Sequence, residues 1–143
     1  MPPEPPTPIS NLNIGVLVNG SNQIVITPAS VDLSAKDANQ NPLYAQPCTL
    51  TFNLTWAQNL ANKPFRFLQT SEDTECGIDI TVQNSTEPSV ASEFTWPSVT
   101  TTDVTSVIVT DNNSGGGTYN FDVTVKDKNG NSVASDPSIK NRN

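Results

Sequence analysis

The side chains able to carry chemistry in this sequence are few in kind. There are two cysteines, fourteen acidic residues, seven basic ones and no histidine. Without an imidazole, the commonest general base at neutral pH and the commonest transition-metal ligand are missing. Ser-His-Asp and Cys-His arrangements are excluded within this polypeptide, as is a His-based zinc site. Two thiolates alone do not complete a tetrahedral structural zinc site. Gly115-Gly116-Gly117 lacks the Lys-Ser/Thr of a phosphate-cradling loop and reads as a loose hairpin connection. Acidic pairs such as Glu72 and Glu75 are of the type that would serve as acid and base. A small single domain offers little cleft for a substrate between them, so the expectation is a protein that is not an enzyme.

Binding chemistry is what remains. Asp127, Asn129 and Asn131 alternate as hard-oxygen ligands do, and so do Asp111 and Asn113. Ca²⁺ is the cation such a set would take. Neither stretch reaches the acidic twelfth position of an EF-hand: counted from Asp127 it is Ser138, and from Asp111 it is Asp122, inside a strand. Asp103, Asp111, Asp127 and Asn129 are the metal candidates, set against a reading in which Asn and Asp shape turns. Cys48 and Cys76 each fall on the inward side of an alternating stretch. They would form a disulfide if those strands are neighbours, worth about 3–4 kcal/mol, or stay as two buried thiols. No Cys-x-x-Cys spacing exists, and Glu72, Asp73 and Glu75 disfavour a thiolate at Cys76.

Trp56, Trp96, Tyr44 and Tyr119 are the aromatics on which a carbohydrate ring would stack. Trp56 falls on the inward face of its strand. Trp96, beside Pro97, is the ring expected to be exposed. Asn19-Gly20-Ser21, Asn53-Leu54-Thr55, Asn84-Ser85-Thr86 and Asn112-Asn113-Ser114 match the glycosylation triplet, as composition alone predicts in so Asn-rich a chain.

These side chains sit on a chain of 143 residues, one domain's worth. Its formal charge is −7, which repels phosphate backbones and argues against nucleic acid and anionic membrane. No apolar run is long enough to cross a membrane as a helix. Met1 runs directly into a segment with prolines at 2, 3, 5, 6 and 8. If Met1 is the native start the protein belongs in the cytoplasm. If a leader has been removed, it belongs outside the cell or in the periplasm, the placement slightly favoured.

The elements that must position these groups are strands. Residues 1–10 read as an extended Pro-rich tail and 11–143 as the folded domain. Leu12, Ile14, Val16 and Val18 alternate with polar neighbours, Asn19-Gly20-Ser21-Asn22 turns the chain, and Ile24-Val25-Ile26 returns. Val31 and Leu33 suggest a short piece, and Ser34 to Pro42 a polar turn. Cys48, Leu50, Phe52, Leu54 and Trp56 alternate against Thr49, Thr51, Asn53 and Thr55. Ala57 to Lys63 has room for one helical turn before Pro64. Phe65 and Phe67 flank an outward Arg66. Cys76, Ile78, Ile80 and Val82 alternate again, Phe94 and Trp96 flank Thr95, and Val107-Ile108-Val109 reads as a strand dry on both faces. The cleanest alternation is Tyr119, Phe121, Val123 and Val125 against Asn120, Asp122, Thr124 and Lys126, closed by the Asn129-Gly130 reversal and a return over Ser132 to Ser135. The core is expected to hold Leu50, Phe52, Leu54, Trp56, Ile78, Ile80, Val82, Val107, Val109, Phe121, Val123 and Val125.

The Gly-x-Tyr-x-Phe-x-Val-x-Val-x-Asp-x-x-Gly run from Gly117 to Gly130 resembles the end of a bacterial immunoglobulin-like, PKD-type domain. That resemblance implies an antiparallel β-sandwich in which Tyr119 opens the penultimate strand and its hydroxyl holds a neighbouring loop. It covers the last stretch of the chain and speaks for fold rather than function. A fainter resemblance, to the small bacterial DP-EP family, rests on Ser135 to Asn141 and on Glu87-Pro88, and implies no activity. The combined expectation is an all-β, immunoglobulin-like antiparallel sandwich of eight or nine strands. Its expected role is non-catalytic: adhesion, spacing or assembly through a protein partner or self-association at edge strands or loops. A module for carbohydrate or Ca²⁺ is the alternative.

Overall fold

A computed structural model describes residues 7–60, 64–82, 93–112 and 118–135. Among them the chain is an all-β sandwich of two sheets. Ten strands are present, one or two more than the periodicity suggests: β1 (Ile9–Val18), β2 (Ile24–Thr27), β3 (Ser30–Asp32), β4 (Tyr44–Trp56), β5 (Phe65–Phe67), β6 (Ile78–Val82), β7 (Phe94–Thr95), β8 (Ser106–Asp111), β9 (Thr118–Asp127) and β10 (Ser132–Ala134). A 3₁₀ turn at Gln58–Leu60 fills the place expected of a helical turn. Pairing begins at Ile9, whose N–H donates to the Leu43 carbonyl at 2.8 Å, so the last residues of the expected tail belong to the sheet. Residues 1–6, the Gly115 to Gly117 loop, Glu87-Pro88 and the stretch from Asp136 lie outside the described residues.

The first sheet runs β2-β1-β4-β8-β7. Its β1–β4 pair is parallel, from Asn11 opposite Thr49 to Val18 opposite Trp56. It is the one parallel pair among the described residues, in two sheets that are otherwise antiparallel as expected. The chain leaves β2, crosses to the other sheet as β3 and comes back, so it re-enters beside β1 in the same direction. A period of two is identical for either direction and carries no sign of this.

The second sheet is organised on β9. Lys126 stands between Ser132 of β10 and Arg66 of β5, and Tyr119 stands between Val31 of β3 and Val82 of β6. Between β5 and β6 the ladder is carried by Gly77, whose carbonyl accepts from the Thr124 N–H at 2.7 Å. Gly77 has φ +83°, and a Cβ there would lie 2.1 Å from the Thr124 carbonyl oxygen. Only glycine fits both the backbone angle and that approach.

The inner faces interdigitate. Phe52 and Phe121 meet edge to face, as do Phe94 and Tyr119 with centroids 4.9 Å apart. Leu50, Phe52, Leu54, Ile78, Ile80, Val107, Val109, Phe121, Val123 and Val125 are all buried, and Trp56 packs half-buried at the margin. The side chain of Val82 lies outside the described set. Ile108 is 51% exposed, so β8 is dry on one face only.

Candidate functional site

Trp56 is the last residue of β4, inward-facing by register but beyond the reach of full cover from the second sheet. Its ring leans on Phe65, 5.8 Å between centroids and tilted by 60°. Phe65 opens β5 and pairs with Asp127, the last residue of β9. Asp127 shapes the turn that follows. Its Oδ1 accepts from the N–H groups of Asn129 at 2.9 Å and Asn131 at 3.0 Å, while Gly130 takes φ +83°. A third segment arrives ahead of β8. Phe67 N–H donates to the Val104 carbonyl and Leu54 N–H to that of Thr105, both at 2.8 Å, and this brings in Thr102, Asp103 and Thr105.

Together these pieces enclose a concavity of about 660 Å³ at one end of the sandwich, with Trp56 and Phe65 in its lining and Asp103, Asp127, Lys128 and Asn129 among its polar groups. The volume lies within the range of small-ligand sites, ~300–1,000 Å³. Three of the four metal candidates therefore share one site. Asp111 does not. It ends β8 at the opposite pole, buried against Cys48 across the β4–β8 ladder. Among the described residues no three His, Cys, Asp or Glu side chains gather as a metal would require.

Arg66 also lines the concavity, but its charge is answered. It donates to Glu72 through both terminal nitrogens, at 2.8 and 3.2 Å. Lys126 Nζ shares Glu72 Oε2 with Arg66 at 2.6 Å, and Gln69 N–H donates to Oε1. The Arg66 hydrogen bonds, then that of Lys126, hold the Glu72 carboxyl far below the ordinary carboxylate range. Glu72 is thus an anion at neutral pH, the wrong protonation state for the acid of a Glu72/Glu75 pair.

The two tryptophans are both half-buried against the core, where their positions suggest one inward and one exposed ring. Trp96 is not an exposed ring. Its indole N–H donates to the Ile78 carbonyl at 3.1 Å, and it packs half-buried against Phe94. The expected inward ring, Trp56, is the one that lines an open site. The cysteines are buried and free. Cys48 lies in the first sheet. Cys76 is in the turn ahead of β6 at φ 56°, not in a strand, and donates to the Pro97 carbonyl at 3.5 Å. Burial first, and then Asp111 or Asp73, pushes both thiols upward, against a thiolate.

Of the glycosylation triplets, Asn19 serves its own turn, accepting from the N–H groups of Ser21 and Gln23 at 3.0 Å each. Asn53 accepts from Ser106 Oγ at 3.2 Å. The triplets at Asn84 and Asn112 fall wholly or partly outside the described residues. One residue was missed altogether. Glu93, ahead of β7, is fully buried, and both its carboxylate oxygens lack a hydrogen-bond partner among the described residues. Nothing in the sequence around it signals this.

No known family model matches the chain, and neither does any curated protein.

Proposed function

We propose that the protein is a non-catalytic adhesion-type module that takes a carbohydrate unit in the Trp56 concavity. The observation that supports this is one half-buried indole beside polar side chains of both kinds. Asp103 and Asn129 offer acceptors, and Lys128, Asn129, Thr102 and Thr105 offer donors. A pyranose has the same two-sided chemistry. Its C–H face lies on an aromatic ring and its hydroxyls both give and accept hydrogen bonds. A nucleotide or other polyanion suits the site poorly, because Arg66 is already paired with Glu72 and the chain carries −7 overall. Calcium has less support, since Asp127 is engaged by its own turn.

The test uses tryptophan fluorescence. In a Trp96→Phe background only Trp56 emits. Titration with neutral mono- and oligosaccharides is expected to shift and enhance that emission at millimolar or lower concentration. Trp56→Ala, shown folded by circular dichroism, is expected to abolish binding seen by calorimetry. A glycan array without a hit, together with emission unmoved by any sugar, overturns the reading.

A further inference from the structure

The first sheet ends in two open edges that complement one another. At one end β7 stops after two residues, because Pro97 has no N–H with which to continue the ladder. The chain beyond it is drawn across to the second sheet. Thr70 N–H donates to the Val99 carbonyl at 2.8 Å, Val99 N–H to Thr70 Oγ1 at 2.7 Å, and Gln69 Nε2 to the Thr100 carbonyl at 2.9 Å. A notch of about 350 Å³ is left beside β8, and none of the residues lining it is charged. Leu54 N–H donates to the Thr105 carbonyl, so alternate residues from Thr105 face β4 and those between them face away. Thr110 uses its outward side on Thr95. The outward backbone groups of Ser106 and Ile108 have no backbone partner among the described residues.

At the other end lies β2, Ile-Val-Ile-Thr, also uncharged. Asn19 N–H donates to the Gln23 carbonyl, so by the same alternation Ile24 and Ile26 turn their backbone groups outward. Strand directions then decide the fit. β2 is antiparallel to β1, β1 is parallel to β4, and β4 is antiparallel to β8. β2 and β8 therefore run the same way, and a second copy displaced along the sheet presents its β2 parallel to β8.

We propose that this protein self-associates head to tail, the β2 edge of one copy adding in parallel to the β8 notch of the next. In parallel pairing Ser106 lies beside Val25 of the second copy and Ile108 beside Thr27, which keeps the added strand clear of Thr110, already held by Thr95. The Ser106 carbonyl accepts from the Ile26 N–H of that copy, and the Ile108 N–H donates to the Ile26 carbonyl. Four large apolar side chains are exposed among the described residues: Ile9, Leu17, Val25 and Ile108. Val25 pairs with Leu17 at one edge and Ile108 stands at the other. The displacement joins three of these four on one continuous outer face. This interface does not involve the Trp56 concavity and stands or falls without it.

The contact is heterologous, so it grows chains rather than closing at a dimer. It carries no charge, while each copy carries −7. Salt should therefore strengthen it by screening the repulsion between copies. The test is sedimentation velocity of the full chain from micromolar to millimolar, in low and high NaCl. The weight-average mass is expected to rise with concentration and salt beyond two copies. Ile108→Lys and Val25→Lys, each with unchanged circular dichroism and melting temperature, are each expected to weaken association about tenfold or more, a difference of about 1.4 kcal/mol. Mixed together, the two variants retain one sound edge each, so they are expected to form a 1:1 dimer and stop. Asn13→Lys, on the same face but inside the sheet, should leave association intact. A chain that stays monomeric to millimolar overturns the proposal. So does one that closes at a dimer indifferent to Val25→Lys.

Discussion

Phe52 of β4 and Phe121 of β9 meet edge to face across the two sheets, with ring centroids 5.4 Å apart and planes at 90°. Each ring comes from the longest strand of its own sheet. The contact therefore fixes how the two sheets are placed on one another. Phe52→Leu and Phe121→Leu should each destabilise. A double-mutant cycle by urea denaturation should return a coupling of about 0.5–1.5 kcal/mol, the value of an oriented aromatic pair beyond its buried area. Strictly additive effects would show that the rings merely share a core.

Gly77 and Gly130 both have φ +83°, yet they differ in surroundings. A Cβ on Gly130 meets nothing within 4 Å, whereas one on Gly77 falls 2.1 Å from backbone oxygen. Gly130→Ala should cost about 1–2 kcal/mol, the left-handed penalty alone. Gly77→Ala should cost clearly more, because β9 and the Gly77 segment must part. Thermal melts of the two variants side by side measure the difference. Equal losses would mean that the Gly77 approach relaxes freely.

Glu72 supplies a pH dependence of known sign. Its folded-state carboxyl is held well below the ordinary Glu value by Arg66 and Lys126. The stabilisation is therefore fully present above about pH 4.3, the unfolded value. It is lost as pH falls toward the folded value. Glu72→Gln should lower stability at pH 7 by about 1 kcal/mol, discounted for solvent screening at the surface. The variant and the parent should converge as the pH is taken down through the acid range. Parallel melting curves from pH 7 to pH 3 would remove Glu72 from the acid limb.

Period-two reading located the strands because burial on one face is local information. Tyr119 to Val125 and Leu50 to Leu54 lie inward as their spacing requires. Three kinds of feature were beyond it. The β1–β4 direction depends on where the chain travels between them, and Ile14 and Phe52 would alternate identically in either sense. Cys76 keeps the spacing of Ile78 and Ile80 but sits in a turn, since Gly77 beside it takes a conformation no strand uses. Ile108 lies between two buried valines and still faces solvent, because β8 has a core on one side only. The site was legible piecemeal. Asp127 and Asn129 were recognisable as turn residues, and Asp103 and Trp56 as side chains of interest. That they surround one concavity follows from β5, β9 and the segment before β8 converging at the end of β4. Trp96 misled because Pro97 ends a strand without exposing the ring before it.

The dependence of the second sheet on β9 has a consequence for synthesis. Strands β3, β5 and β6 all leave the ribosome before their common partner, which is made after residue 117. Until then the backbone groups they turn toward β9 have only water to bond, and half of the hydrophobic interior has no lid. The β2-β1-β4 part of the first sheet has every partner it needs by Trp56 and is free to assemble early. A nascent chain arrested short of β9 is thus a half-built sandwich with an uncovered apolar face, the kind of surface that chaperones hold.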